Sequence, residues 1–358
     1  MKKNKAVRFI HLWLGMISGL VVFTVAVTGC IYAFEEEIRS VIHKDLQQVP
    51  AQLTGRYSLD SLITKVREEH KEIKIKNIRV FSDPGRSIIF NTRNNTSIFL
   101  DPYTGSILGT LDTEKEFLAV ILKIHRSLYL GDPGKMITGA SALIFFVMLI
   151  SGIILWWPGK KKNLKSKFRF SLKTSRKRLI YDLHSILGFY ASWIIIFTVI
   201  TGLIWSYKWM EGAMYAVTGS VKETVKLKSV KPGSAADASV EKILAISLSS
   251  SAGSSEQLIM LPEDSTGVIK VNARHPKSGF FTKNDQYYFN RFTAEKLKEV
   301  PFEKSSAGDK LKATNLQIHT GKVFGLPGQL MVFFASLICA SLPITGFMFW
   351  WGKRKEKD

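Results

Sequence analysis

The chain has 358 residues, of which 46% are hydrophobic, and its mean hydropathy is +0.07. These values exclude an ordinary soluble protein and a chain buried wholly in a bilayer, and the length suggests two or three compact units. The net charge of +21 raises nucleic acid as a partner, but both termini and residues 158–182 carry fifteen of these charges beside apolar runs. That distribution is the positive-inside pattern of membrane proteins, so we expect lipid and not nucleic acid as the partner.

Four uncharged runs predict four membrane spans, the first of which follows a basic N-terminus and is too long for a cleaved signal. Both termini are then cytoplasmic. In chain order we predict a first transmembrane helix at 1–34, an extracytoplasmic domain at 35–130, a second transmembrane helix at 131–157, a basic cytoplasmic loop at 158–180, a third transmembrane helix at 181–207, a second extracytoplasmic domain at 208–322, a fourth transmembrane helix at 323–352 and a cytoplasmic tail at 353–358.

The two polar inserts each have the pattern of a small α+β domain with an antiparallel sheet. In the first, amphipathic spacing predicts a helix over 58–70, and short apolar alternations predict strands that follow it. An interfacial helix over 114–129 ends this insert. The second insert repeats the order, with a helix near 238–248 and strands at 257–262, 267–274 and 285–290.

The spans repeat one another. HLWLGMISGLVVFTVAVTG begins at His11 and HSILGFYASWIIIFTVITG begins at His184, with glycine and Thr-Gly at matching positions. HRSLYLGDPG from His125 and HTGKVFGLPG from His319 also match, and Gly152 and Gly346 each fall twenty-seven residues after their histidine. We interpret the chain as two copies of one unit.

The predicted topology brings the four histidines together as two pairs. His11 and His184 begin the first and third spans on the cytoplasmic side, whereas His125 and His319 precede the second and fourth spans on the outer side. Two histidines on each side are the ligands of one six-coordinate haem b, so we predict two haem b groups. Attachment of haem c is excluded because the chain has no CxxCH, and two histidines per side are few for zinc.

Other residues near these ligands have less specific patterns. Gly15 and Gly188 lie one turn after His11 and His184, where they could make room for a flat macrocycle or allow close helix packing. Arg126 could neutralise a haem propionate or anchor to lipid headgroups, as could Arg8, Arg178 and Lys322. The remaining histidines, His43, His70 and His275, lack metal-ligand spacing, and we interpret them as solvated. Cys30 and Cys339 are interpreted as buried apolar side chains because a cluster or zinc site needs about four ligands.

The H-x-W-L-G start at His11, the duplication and the D-P-x-T-G turn at Asp101 resemble the PepSY-associated transmembrane proteins. The resemblance implies an integral membrane α-helical bundle of four spans with two extracytoplasmic α+β PepSY-like domains. It also implies a bacterial inner-membrane reductase that uses two haems to reduce a ferric siderophore, or another ferric chelate, in the periplasm for iron uptake. The second insert has Asn290-Arg291-Phe292-Thr293-Ala294 in place of the turn motif. No flavin or nucleotide motif is present, so the electron donor is separate, either quinol or a cytoplasmic flavoprotein.

Two other functions remain open from the sequence. The inserts could make the protein a binding or regulatory membrane protein without redox activity, in which the histidines are structural. The bundle could instead transport a siderophore or metal, although the four uncharged runs lack the charged residues that transporters use at mid-span. A visible spectrum of the purified protein would distinguish the reductase from the regulatory protein.

Overall fold

The computed structural model describes residues 2–52, 55–158, 168, 174–223, 227–233, 236–276 and 282–354. Most of the predicted loop at 158–180 and the end of the predicted tail lie outside these residues. The described helices are, in chain order, α1 (Lys2–Tyr32), α2 (Glu35–Ile42), α3 (Lys44–Gln47), α4 (Leu59–Glu69), α5 (Phe117–Ser127), α6 (Gly131–Trp156), α7 (Arg176–Asp182), α8 (Gly188–Ser206), α9 (Lys208–Val217), α10 (Val240–Ser250), α11 (Ala307–Thr320) and α12 (Gly325–Arg354). The strands are β1 (Ile75–Phe81), β2 (Ile88–Thr92), β3 (Thr96–Leu100), β4 (Ile107–Asp112), β5 (Glu256–Met260), β6 (Ile269–Arg274), β7 (Asn284–Phe289) and β8 (Lys296–Val300).

The chain forms two compact units. The first, the helical unit, comprises Met1–Glu35, Phe117–Val217 and Thr314–Asp358. The second, the sheet unit, comprises Glu36–Glu116 and Thr218–Ala313.

Four helices of the helical unit are long and apolar enough to cross a membrane, as the sequence predicted: Lys5–Tyr32, Gly131–Trp156, Arg176–Ser206 and Lys322–Gly352. The third contains α7, a π-helical turn at Leu183–Leu187 and α8. Side chains such as Leu20 and Ile17 are exposed by 78% and 69%, which suits a surface that faces lipid rather than water.

The four long helices are packed as a ring. α1 contacts α6 and α12, and α8 contacts the same two helices. Small and branched side chains fill the centre, among them Val22, Phe145, Leu149, Ala191, Ile195, Val199 and Cys339. Cys30 is also buried, and its thiol lies 3.6 Å from the carbonyl oxygen of Phe333. The interpretation of both cysteines as buried apolar side chains is therefore confirmed.

The sheet unit contains one antiparallel eight-stranded sheet in the order β4-β3-β2-β1-β5-β6-β7-β8. The sequence predicted an antiparallel sheet in each insert, and the structure joins the two halves through β1 and β5, with Ile78 opposite Ile259. Side chains alternate between the two faces of each strand. One face is apolar and packs under α4 and α10, whereas the other carries asparagines, arginines and glutamates.

The helices α4 and α10 cap each other. The Asp60 carboxylate accepts hydrogen bonds from the backbone of Val240, at 2.8 Å, and from the Ser239 hydroxyl. The Glu241 carboxylate accepts from the backbone of Leu59 at 2.7 Å. Each helix thus supplies a carboxylate to the N-terminus of the other, where backbone N–H groups need acceptors.

The turn that departs from the D-P-x-T-G motif keeps the same backbone path. Gly105 donates to the Asp101 carbonyl at 2.9 Å, and Ala294 donates to the Asn290 carbonyl at 3.0 Å. Gly105 has φ +67°, and Ala294 has φ +58°. The second turn therefore holds an alanine in a conformation that favours glycine.

Candidate functional site

The four repeated histidines lie in the helical unit as two pairs, and the members of each pair are those that the sequence predicted. The ring centroids of His11 and His184 are 6.3 Å apart, and those of His125 and His319 are 6.1 Å apart. The ring planes are close to perpendicular, at 87° in the first pair and 79° in the second.

The two pairs are far apart along the bundle. His11 lies near the start of α1, and Gly29, eighteen residues later in the same helix, lies against the ring of His125. At 1.5 Å per residue this interval is about 27 Å, close to the thickness of the hydrocarbon core.

Every histidine of the two pairs has its Nδ1 hydrogen-bonded to a Ser or Thr hydroxyl on a long helix. His11 contacts Ser151 at 2.8 Å and His184 contacts Thr345 at 3.0 Å. In the second pair, His125 contacts Thr28 at 3.2 Å and His319 contacts Thr201 at 2.9 Å. All four hydroxyls also donate to a carbonyl of their own helix, as Thr201 does to Phe197 at 2.7 Å.

These bonds fix the tautomer of the four rings. A hydroxyl has one hydrogen, and since that hydrogen is used within the helix, the hydroxyl oxygen accepts from the histidine Nδ1–H. Carbonyl oxygens lie beside the same nitrogen, Val25 at 2.9 Å from His125 and Leu342 at 3.1 Å from His184, and a carbonyl can only accept. Each ring therefore carries its proton on Nδ1 and its lone pair on Nε2, the form in which histidine binds metals.

A glycine follows each of the four hydroxyl residues and makes room for the histidine ring. A Cβ at Gly29 would lie 3.2 Å from the ring of His125, and one at Gly346 would lie 3.1 Å from that of His184. At Gly152 and Gly202 the corresponding distances, to His11 and His319, are 3.4 and 3.5 Å. The four Ser/Thr–Gly dipeptides are Thr28-Gly29, Ser151-Gly152, Thr201-Gly202 and Thr345-Gly346.

The spacing of each pair fits one metal ion between two imidazoles. Two metal–nitrogen bonds of about 2 Å each, with about 1 Å from each Nε2 to its ring centre, add to about 6 Å. The described residues contain no group of three or more His, Cys, Asp or Glu side chains that could hold a metal. Each pair therefore offers two imidazole nitrogens among these residues.

The local backbone explains how three of the four histidines are positioned. His184 lies in the π-helical turn between α7 and α8, and such turns are frequent at functional sites. His125 lies near the end of α5, and a Cβ at Gly134 would lie 1.7 Å from the Ser127 carbonyl oxygen. Gly328 has the same role beside His319, because a Cβ there would lie 2.3 Å from the Gly321 carbonyl oxygen. The repeated Pro-Gly thus permits a close crossing of two helices next to His125 and next to His319.

The remaining predicted site residues lie around the pairs. A Cβ at Gly15 would meet Met148, and one at Gly188 would meet Leu342, so both glycines face side chains of neighbouring long helices. Arg126 is exposed, and its carbonyl oxygen accepts from Thr138. Arg178 is bound to Asp182 at 3.0 Å. The cofactor roles of Gly15, Gly188 and Arg126 stay predictions.

Sequence reasoning missed the four hydroxyls. Ser-Gly or Thr-Gly stands near the end of all four spans, but only the glycines of these dipeptides entered the prediction.

The interpretation of His43 and His275 as solvated is wrong. His43 lies 3.3 Å from the buried Glu116 carboxylate, and His275 lies 2.7 Å from Asp285.

The sheet unit has a polar groove on the face opposite its core, with a volume of about 520 Å³. Its lining is rich in amide side chains and includes two arginines and two carboxylates, so it has no net charge. The lining includes Arg79, Glu256, Asn272, Arg274, Asp309 and Ala313. Glu256 binds Arg79 at 2.6 Å and lies 3.8 Å from Arg274. The Asn272 side-chain oxygen is buried and has no hydrogen-bond partner among the described residues.

Comparison with known proteins gives a match over nearly the whole chain. The model of the family described as the PepSY-associated TM region matches residues 8–353. The search of curated proteins found no match.

Proposed function

The chain belongs to the PepSY-associated transmembrane family, and on that premise we propose that it carries electrons across a membrane through two haem b groups and reduces a ferric chelate on the outer side. The chelate is most simply a ferric siderophore, and the role is iron uptake. The observation that carries this proposal is the repeated arrangement of His11 with His184 and of His125 with His319, each ring with its Nε2 lone pair available.

In this proposal His11 and His184 would hold one haem b, and His125 and His319 would hold the other. Haem b, when bound, would supply a one-electron carrier. The protein holds the four rings by their Nδ1–H groups and encloses them among apolar helices. We expect the acceptor to be reduced by electron transfer at the protein surface.

The proposed arrangement of the chain follows the sequence repeats. The protein is an internal duplication in the bacterial inner membrane with both termini cytoplasmic, and the two inserts are PepSY-like domains in the periplasm. The haem that His11 and His184 would hold lies on the cytoplasmic side, where quinol or a flavoprotein would be the donor, and the haem that His125 and His319 would hold lies on the outer side.

Our candidate surface for the acceptor is the polar groove of the sheet unit. A cavity of about 520 Å³ is within the range of small-molecule sites. A lining without net charge suits a chelate of small net charge, and amide side chains can donate to and accept from its oxygen atoms.

The deciding experiment is a visible spectrum of the purified protein with haem stoichiometry. We expect about two haem b per chain. The absorption bands should sharpen when dithionite reduces the protein, and the oxidised spectrum should return when a ferric siderophore is added. A folded but colourless preparation would contradict the proposal and favour the regulatory alternative.

A further inference from the structure

We propose that the four Ser/Thr–Gly dipeptides are positioning residues that hold the two imidazole planes of each pair nearly perpendicular and thereby give both ferric haems strongly anisotropic electronic states. The inference rests on the proposed function, since it needs haem iron between the rings. It is carried by the interplanar angles of 87° and 79° together with the contacts that fix them.

One helix holds each ring. It accepts a hydrogen bond from the ring Nδ1–H, and its glycine lies against the edge of the ring. The acceptors are a hydroxyl and the carbonyl one turn before it, as with Thr345 and Leu342 at His184. The same pattern recurs with Thr28 and Val25 at His125. At the other two rings the acceptors are the hydroxyls of Ser151, at His11, and of Thr201, at His319.

The two rings of a pair are held by two different helices. His11 is bound by Ser151 of α6, and His184 is bound by Thr345 of α12. In the second pair Thr28 lies on α1 and Thr201 lies on α8. The angle between the rings is therefore fixed by the packing of the bundle, which resists rotation because close-packed helices deform little.

The angle between axial imidazole planes has a direct spectroscopic consequence. Parallel planes separate the energies of the two iron d orbitals that overlap with the rings, and the ferric haem then gives a three-line rhombic electron paramagnetic resonance (EPR) spectrum. Perpendicular planes leave these orbitals nearly equal in energy, and the ferric haem gives one broad line at low field. Hydrogen bonds to the Nδ1–H groups, which orient the two imidazole rings, thus determine which spectrum we expect.

The first test is the EPR spectrum of the oxidised two-haem protein at low temperature. We expect two broad low-field lines and no rhombic low-spin signal. A rhombic spectrum from protein that holds two haems per chain would overturn this inference while leaving the proposed function intact. A preparation without haem would instead contradict the proposed function itself.

The second test assigns the angle to particular residues. Thr345→Val removes the hydroxyl from His184, so we expect the line of the first pair to shift and that of the second pair to stay. Thr201→Val should do the reverse, and Thr345→Ser should restore the wild-type line. A merely structural role would change both haems together, and such a result would overturn the inference.

Gly→Ala substitutions in the four dipeptides test the same inference without removing a hydroxyl, and their expected EPR shifts differ in size. A Cβ lies closest to the histidine ring at Gly346 and Gly29, at 3.1 and 3.2 Å, and farthest at Gly202, at 3.5 Å. We expect Gly346→Ala and Gly29→Ala to shift the EPR line of their own pair, and Gly202→Ala to shift its line least. If Gly346→Ala and Thr345→Val both leave the first pair's line unchanged, the dipeptide does not set the angle.

Discussion

At the scale of single residues, each of the four paired histidines is held at its Nδ1 nitrogen, and Nε2 is the nitrogen that we propose binds the metal. Each Nδ1–H is received by a hydroxyl whose own hydrogen is already used within its helix, as at Ser151, which donates to Met148 at 2.9 Å. Such a hydroxyl cannot donate to the ring, so the protonated Nδ1 is the only arrangement that satisfies both groups. The lone pair is therefore directed to Nε2 before any cofactor binds.

Removal of one histidine should remove one haem and leave the other. We expect His11→Ala to lose the haem of the first pair and His125→Ala to lose that of the second, because the pairs are separated by about 27 Å along α1. The measurement is haem per chain, which should fall to about half in each variant. His70→Ala is the control, since His70 ends α4 in the sheet unit and belongs to neither pair. A variant that loses both haems or neither would show that the pairing is wrong.

The sequence was sufficient to predict which histidines pair, but it did not reveal how they are held. Pairing followed from the repeat and from counting spans, since each span reverses the side of the membrane. The hydroxyl contacts depend instead on the rotation of α6 and α12 about their axes, which apolar runs do not specify. A helical Thr such as Thr201 also bonds its own helix, at 2.7 Å to Phe197, so its second contact has no signature in one span alone.

At the scale of elements, the repeated Pro-Gly sets the crossing of a short helix and a long one beside each ligand of the second pair. Gly134 of α6 approaches the Ser127 carbonyl so closely that a methyl group would lie 1.7 Å from the oxygen. That carbonyl is at the end of α5, two residues after His125. Any side chain at residue 134 must therefore push the histidine helix away.

Gly134→Ala and Gly328→Ala should each impair the second pair and spare the first. The backbone has to move by more than an ångström in each, and that displacement carries His125 or His319 with it. The expected result is loss of one haem of the two, with the absorption of the remaining haem unchanged. Gly212→Ala is the matched control, because nothing lies within 4 Å of the added methyl group. If Gly134→Ala retains both haems, the close crossing does not position His125.

The order of the strands in the sheet could not be predicted from the sequence. The alternation of apolar and polar residues predicted the strands of the first insert and β5, β6 and β7 of the second, because alternation is a local signal, but it missed β8. The pairing of β1 with β5 is between residues far apart in the chain, with Arg79 opposite Leu258, and no local pattern identifies it. The polar groove was missed for the same reason, since its lining comes from five strands of both inserts and from α11.

The groove offers an element-level test of acceptor binding. Asn272 has a buried side-chain oxygen without a partner among the described residues, so Asn272→Ala should cost little stability while removing a hydrogen bond to the chelate. We expect KM for the ferric chelate to rise by about tenfold, which corresponds to about 1.4 kcal/mol, while the haem spectrum stays unchanged. Asn94→Ala in the exposed turn between β2 and β3 is the control. An unchanged KM in Asn272→Ala would place the acceptor elsewhere.

At the scale of the whole molecule, the proposal needs the sheet unit on one side of the membrane and the basic loop on the other. Residues 158–182 hold ten Lys and Arg against one Asp, and short basic loops of this kind remain in the cytoplasm. The sheet unit has no comparable excess of charge within any short stretch beside a span. Its proposed outward position is what allows a ferric chelate to be reduced before it enters the cell.

Cysteine labelling of intact cells would test this orientation. Both native cysteines are buried, so a membrane-impermeant maleimide should react only with introduced thiols. We expect Glu72→Cys, at an exposed position of the sheet unit, to be labelled in intact cells. Arg176→Cys, at the start of α7, should be labelled only after the cells are lysed, because it borders the basic loop. The reverse pattern would put the sheet unit in the cytoplasm, where it could not meet an external chelate. The proposal that electrons are delivered on the outer side would then be wrong, even if both haems were present.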